Sequence, residues 1–107
     1  MLEKEKLKLK AKFFRGFADP TRLAILECLR NGEKTVTEIV QETGESQSNV
    51  SNHLSCLLEC SLLKNRRDGK NIHYSIRNAK VKKLLESSDI VLSDIYREIF
   101  ECTRYEE

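Results

Sequence analysis

The chain has 107 residues and a net charge of +2, and charged residues make up 34% of it. This length suits one domain, and a hydrophobic content of 39% suffices for a small core. No apolar run approaches the roughly 20 residues that a membrane-spanning helix needs. The N-terminus lacks the apolar core of a secretory signal. We therefore expect a cytoplasmic protein, in which four cysteines favour metal or redox chemistry over structural disulfides.

The first predicted element is a basic helix within residues 1–17. Leu9, Phe13 and Phe17 fall near one stripe of this helix, and a lysine at every second position from 4 to 12 lies largely elsewhere. The lysines form either a solvated face or an arm that contacts phosphate groups.

Two helix starts follow, and the second opens a helix-turn-helix over residues 35–61. Asp19-Pro20 is a cap followed by a proline in the first turn, and Thr35 with Glu38 forms a capping box. The short helix after Thr35 ends at Gly44, and Ser46 caps the next helix. A helix, a tight glycine turn and a second helix make the layout of a DNA-recognition unit.

Residues 62–76 are predicted to form a hairpin, the wing. Two extended segments, 62–67 and 70–76, flank Asp68-Gly69, a pair typical of two-residue hairpin turns. The predicted fold is mainly α with this small β-hairpin, a winged helix-turn-helix in a single domain of residues 1–107. Residues 79–103 return to helix with an apolar band too broad for one small domain to cover, so a homodimer through the helices 1–17 and 79–103 is expected.

The predicted recognition helix begins with polar side chains suited to base edges and phosphates. The wing adds Arg66, Arg67 and Lys70, with Lys64 nearby, as a cationic cluster for backbone phosphates. Each residue alone also fits a solvated surface, but the order of elements favours DNA binding. The predicted contacts on the helix are Ser46, Gln47, Ser48, Asn49, Ser51, Asn52 and His53.

Cys56 and Cys60 lie four residues apart in the same helix and therefore share one face. Two thiolates on one face make half of a site for a soft metal ion. The alternative is that both are ordinary small buried residues, as cysteines often are. Cys28 lies in the apolar stripe of an earlier helix and is assigned to the core.

Three segments resemble the ArsR/SmtB family of metal-sensing winged-helix repressors, most closely its CmtR-type cadmium and lead sensors. They are residues 18–26 (Ala-Asp-Pro-Thr-Arg-Leu-Ala-Ile-Leu), residues 46–54 (Ser-Gln-Ser-Asn-Val-Ser-Asn-His-Leu) and Asp68-Gly69-Lys70 with Tyr74. The resemblance implies a homodimer that binds operator DNA and releases it on binding metal. It also implies that Cys102 joins Cys56 and Cys60 as a ligand. Ser61 departs from the glycine that many relatives carry at the helix exit.

The expected function is therefore a repressor that binds a palindromic operator as the apo dimer and is released by Cd(II) or Pb(II), with Zn(II) less favoured. The alternative keeps the fold and replaces the metal with a thiol redox or persulfide signal. An enzyme is not expected, because the chain has no Cys-x-x-Cys motif, phosphate loop or catalytic triad, and no small-molecule substrate is implied.

Overall fold

The computed structural model describes the backbone of residues 3–106 and the side chains of residues 3–98. Five helices and one three-stranded sheet follow one another as the sequence patterns predict, with one additional strand. None of the helices within this range combines the length and apolar character needed to cross a membrane. The elements are α1 (Glu3–Ala18), α2 (Pro20–Cys28), β1 (Lys34–Thr35), α3 (Val36–Thr43), α4 (Gln47–Glu59), β2 (Leu63–Asp68), β3 (Asn71–Ile76) and α5 (Ala79–Glu106).

The predicted helix caps are confirmed. Asp19 accepts hydrogen bonds from the backbone N–H groups of Thr21 (2.8 Å) and Arg22 (3.1 Å) at the start of α2. Thr35 and Glu38 form a reciprocal capping box at the start of α3. These side chains satisfy backbone donors that have no partner inside the helix, so each helix begins where its cap lies.

The turn between α3 and α4 depends on glycine. Gly44 ends α3 with φ 75°, a left-handed conformation that costs glycine little. Ser46 then caps α4, its Oγ accepting from the N–H of Asn49 at 3.2 Å. The first helix therefore ends at Gly44 and the second, α4, begins after Ser46, where the sequence predicts the turn.

The sheet differs from the predicted hairpin in two ways. The antiparallel strand order is β1-β3-β2, and the short strand β1 was missed because two residues carry no alternating pattern. Asp68 pairs with Asn71, so the two-residue loop is Gly69-Lys70, and the predicted Asp68-Gly69 loop was wrong by one residue. Gly69 has φ 62° at the first loop position, where a type II′ turn requires glycine.

The core joins α2, α3, α4, the sheet and the start of α5. Ile25 and Leu26 of α2, and Leu29 at its C-cap, are fully buried in one cluster with residues of the other elements. Helix α1 packs closely here, since a Cβ at Gly16 would lie 2.9 Å from Leu62 Cδ1. The other core residues are Ile39, Val50, Leu54, Leu57, Leu62, Leu63, Ile76, Val81 and Leu85.

Large apolar side chains remain exposed on the two terminal helices. Leu7 is 66% exposed and Leu9 57% exposed on α1, and Ile90 is 68% exposed on α5. A groove of about 230 Å³ between α1, α2 and α5 is lined almost wholly by apolar side chains such as Phe14 and Leu92. One protomer alone thus leaves apolar surface uncovered, as the apolar band of residues 79–103 predicted.

Replacing Ser61 would test the backbone strain at the end of α4. It follows α4 with φ 62°, within the described chain the one non-glycine residue with a left-handed backbone. Ser61→Gly should raise the free energy of unfolding by about 0.5–1 kcal/mol, because glycine adopts this conformation without the Cβ clash. Urea denaturation at fixed protein concentration measures the change. The matched control, Ser87→Gly on the exposed side of α5, should lower stability by about 0.5 kcal/mol. A destabilised Ser61→Gly protein would contradict the argument.

Candidate nucleic-acid interface and cysteine stripe

Burial fixes which side of α4 faces outward. Val50, Leu54 and Leu57 are at most 1% exposed and pack into the core. The opposite side, here called the groove face, consists of exposed polar residues within one arc of the helix. Its members are Gln47, Ser48, Ser51, Asn52 and Ser55.

Ser55 belongs to the groove face but was not among the predicted contacts. It is exposed, and its Oγ donates to the carbonyl oxygen of Ser51 at 3.2 Å. The spacing could have revealed it, because Ser55 lies four residues after Ser51 and three after Asn52.

A second side of α4, here called the flank stripe, carries Asn49, His53, Cys56 and Cys60 at spacings of four, three and four. Asn49 and His53, two of the predicted DNA contacts, bind other parts of the protein here. The Asn49 amide donates to Glu45 Oε2 at 2.9 Å. Both residues are half-buried, so the structure places them beside the groove face and not on it.

The His53 ring contacts the start of α2. Arg22 Nε donates to His53 Nδ1 at 3.2 Å, and His53 Nε2 lies 3.8 Å from Asp19 Oδ1. The hydrogen bond from the backbone N–H of Arg22 is the main reason that the pKa of Asp19 lies below its ordinary value, and the nearby His53 lowers it further. One carboxylate therefore caps α2 and faces the flank stripe of α4.

The two cysteines of the stripe differ in surroundings. Cys56 is half-buried, and Cys60 is exposed at the C-terminal cap of α4, where its N–H donates to the Cys56 carbonyl at 3.0 Å. Cys60 opens into a crevice of about 350 Å³ that is shared with α1. Its lining residues are Leu9, Lys12, Phe13, Glu59 and Cys60.

The described part of the flank stripe supplies two candidate thiol ligands for a metal ion, Cys56 and Cys60. No three His, Cys, Asp or Glu side chains within residues 3–98 lie together in a way that could hold a metal ion. The third predicted ligand, Cys102, has its side chain outside the described residues. The donor chemistry of Cys56 and Cys60 suits a thiophilic ion, but the pair needs at least one further ligand.

Cys28 lies in more buried surroundings than Cys60. It is half-buried against the core, and this burial is the main reason that the pKa of its thiol rises to about 11. Lys34 Nζ lies 3.3 Å from Glu42 Oε2 beside it and donates to the Cys28 carbonyl oxygen. A raised thiol pKa makes the thiolate harder to form and the side chain a poorer ligand and nucleophile, which fits the predicted core role.

The wing arginines also separate into two kinds. Arg66 forms a fork with Glu33, donating from Nε to both carboxylate oxygens (2.9 and 3.2 Å) and from Nη2 to one of them. The hydrogen bond from Arg66 is the main cause that lowers the pKa of Glu33. Arg67 and Lys70 are exposed and form no ion pair with any described side chain. The wing thus presents Arg67 and Lys70 to solvent, whereas Arg66 is held by Glu33, just before β1.

Comparison with known proteins places these features in a family. A family profile described as "Bacterial regulatory protein, arsR family" matches residues 19–65. The chain is 43% identical over 94 residues to a "Probable mercury resistance operon repressor" of Streptomyces lividans, covering 88% of this chain and 75% of that relative. It is 36% identical over 84 residues to the HTH-type transcriptional regulator CmtR of Mycobacterium bovis, covering 78% and 71% respectively.

The fold is likewise similar to solved structures. A homodimeric winged helix-turn-helix DNA-binding domain from Mycobacterium bovis, solved by NMR in solution, superposes with a TM-score of 0.80 at 26% identity. The match covers 92% of this chain and 93% of that one.

The Glu33–Arg66 fork predicts a pH dependence of stability. The Glu33 pKa is lowered in the folded protein, so the ion pair stabilises the fold above the ordinary carboxyl pKa and is lost as the pH falls through the folded-state value. Glu33→Gln should lower the urea midpoint near neutral pH, and its difference from the unmodified protein should shrink towards about pH 3. Glu59→Gln, at an exposed position without an ion pair among the described side chains, is the control. A pH-independent difference would contradict the ion pair.

Proposed function

The chain belongs to the ArsR family of bacterial regulatory proteins and is a DNA-binding transcriptional repressor, and from this premise we propose that a thiophilic metal ion releases it from its operator. Cys56 and Cys60 on the flank stripe, with Cys102 from the C-terminal helix, are the proposed ligands. The observation that carries the proposal is the position of both thiols on the recognition helix itself, outside the buried core.

The proposed DNA-binding form is a homodimer on a palindromic operator. The uncovered apolar side chains of α1 and α5 support a second copy, and the similar domain from Mycobacterium bovis is described as homodimeric. Two recognition helices about 34 Å apart would enter successive major grooves. The groove face would contact the bases, with Ser46 near a phosphate at the helix start.

Within the wing, Arg67 and Lys70 are the proposed phosphate contacts. Arg66, which the sequence also predicted as a contact, has Glu33 as its partner, and a phosphate would have to displace that carboxylate. We propose that Arg66 mainly positions the wing. In the recognition helix, Asn49 and His53 are likewise proposed to hold α4 in place through Glu45, Arg22 and Asp19.

This difference predicts distinct salt dependences of operator binding. Each lost phosphate contact makes the negative slope of log affinity against log salt shallower by about 0.9. In a dimer, Arg67→Ala removes two contacts and should make the slope shallower by about 1.8. Arg66→Ala is the matched comparison and should change the slope by less. Equal changes for the two variants, measured by fluorescence anisotropy, would contradict the proposed roles.

The proposed mechanism couples metal capture to the orientation of α4. A bound thiophilic ion would supply the bonds that draw the flank stripe towards a third ligand. Asn49 and His53 on the same stripe hold α4 against neighbouring residues, so a pull on Cys56 and Cys60 acts on the helix where its orienting contacts lie. Such couplings are typically about 1–3 kcal/mol, or about 5- to 150-fold in DNA affinity, and DNA must weaken metal binding equally.

The metal is proposed to be Cd(II) or Pb(II), with Zn(II) less favoured, because two or three thiolates favour soft ions. A relative named for mercury resistance broadens the set of soft ions to be tested. A redox signal through a Cys56–Cys60 disulfide is less favoured, because helical neighbours four apart have Cβ atoms about 5–6 Å apart and a disulfide needs about 3.5–4.5 Å.

The cysteine variants test the effector site. Cys56→Ser and Cys60→Ser should leave operator binding by the apo protein within about threefold and abolish release by Cd(II), the loss of one thiolate removing most of a coupling of this size. Gel-shift titration measures operator binding and its release, and ultraviolet thiolate-to-metal absorption measures metal binding. Cys28→Ser is the matched control and should still be released. Normal release of both stripe variants would overturn the site, and release by peroxide but not by metal would favour the redox alternative.

A further inference from the structure

Charges of opposite sign are segregated onto the two terminal helices. Helix α1 carries six basic residues and two acidic ones. Helix α5 changes sign along its length: residues 79–85 hold three lysines, and residues 86–98 hold four acidic residues and only Arg97 as a base. The chain's small net charge of +2 therefore conceals a basic helix and an acidic half-helix.

Most of these charges lack partners within the described protomer. No ion pair among residues 3–98 involves a basic side chain of α1. On α5, Asp89 binds Arg30 of the α2 exit at 2.8 Å, and Asp94 lies 3.9 Å from Arg97. Glu86 and Glu98 form no ion pair in the same part of the chain.

Several charges on the two helices follow the helical repeat, and the same helices expose apolar residues. Lys4, Lys8 and Lys12 recur every four residues, as Asp94 and Glu98 do, so each set shares a helix face. The apolar residues exposed on the same helices include Leu7 (66%) and Leu9 (57%) on α1, and Val91 (54%) and Ile95 (41%) on α5. An apolar surface edged with charge is typical of a protein interface, whereas a phosphate backbone would leave those apolar side chains uncovered.

We propose that the second copy of this chain docks through opposite charges, the basic face of α1 in one protomer pairing with the acidic half of α5 in its partner. The proposal rests on the homodimer proposed above and adds what selects the partner surface. Complementary charges fix the register of the two helices and exclude juxtapositions of like charge. Dimer assembly is then sensitive to salt, and a charge reversal on one helix is repaired by the opposite reversal on the other.

A charge swap tests the pairing in the full-length protein. Lys4→Glu/Lys8→Glu should weaken dimerisation by about tenfold at about 0.05 M salt, since exposed pairs are lost at both symmetric contacts and like charges face each other. Adding Asp94→Lys/Glu98→Lys should restore affinity to within about threefold of the unmodified protein. Sedimentation equilibrium measures the dimer constant, and circular dichroism checks that each variant is folded. Lys12 is left unchanged because it lines the Cys60 crevice.

The matched control is Lys80→Glu/Lys83→Glu, which makes the same change in charge at exposed positions in the first turns of α5. This control variant should leave the dimer dissociation constant nearly unchanged. Separately, the dimer of the unmodified protein should weaken as salt rises to about 0.5 M. If the α1 reversal instead leaves dimerisation intact and lowers the salt slope of DNA binding, the lysines contact DNA and the pairing is overturned. A dimer indifferent to every reversal also overturns the pairing but leaves the proposed function standing. A protein that is monomeric under all conditions removes the proposed homodimer itself.

Discussion

The burial of Val50, Leu54 and Leu57 is the constraint on which the rest of this structure depends. These three side chains fix the rotation of α4 about its own axis, because turning the helix would expose them to water. Once one side is buried, the others are assigned. The groove face points outward, and the flank stripe lies against the turn before α4, the start of α2 and the crevice beside α1.

The placement of both thiols on the flank stripe has a mechanistic consequence. A ligand bound on the groove face would block DNA directly, and a ligand in the core would disrupt the fold. The flank stripe lies outside both the groove face and the core. Its polar residues hold the helix through single hydrogen bonds at 2.9 and 3.2 Å, whose net contributions to stability are modest. In the proposed mechanism, a few bonds to a metal ion would compete with contacts of this strength, as a reversible regulator requires.

Local patterns predicted the helices and their ends well, and pairing across the chain less well. Asp19, Thr35 with Glu38, and Ser46 each cap a helix through residues within three positions, so the sequence alone contains the interaction. The wing loop was wrong by one residue because Asp-Gly and Gly-Lys are both acceptable turns, and the pairing of Asp68 with Asn71 decides between them. Strand β1 exists only because β3 is beside it.

The sequence by itself determined the winged helix-turn-helix order, the recognition helix and the shared face of Cys56 and Cys60, because each depends on helical spacing or on neighbours along the chain. Only the tertiary structure decided the partners of the charged and polar side chains. Arg66 meets Glu33 across 33 positions, and His53 meets Arg22 across 31. An arginine on an exposed strand has the same local pattern whether it faces a phosphate or a carboxylate, and the packing of the core decides which group lies within its reach.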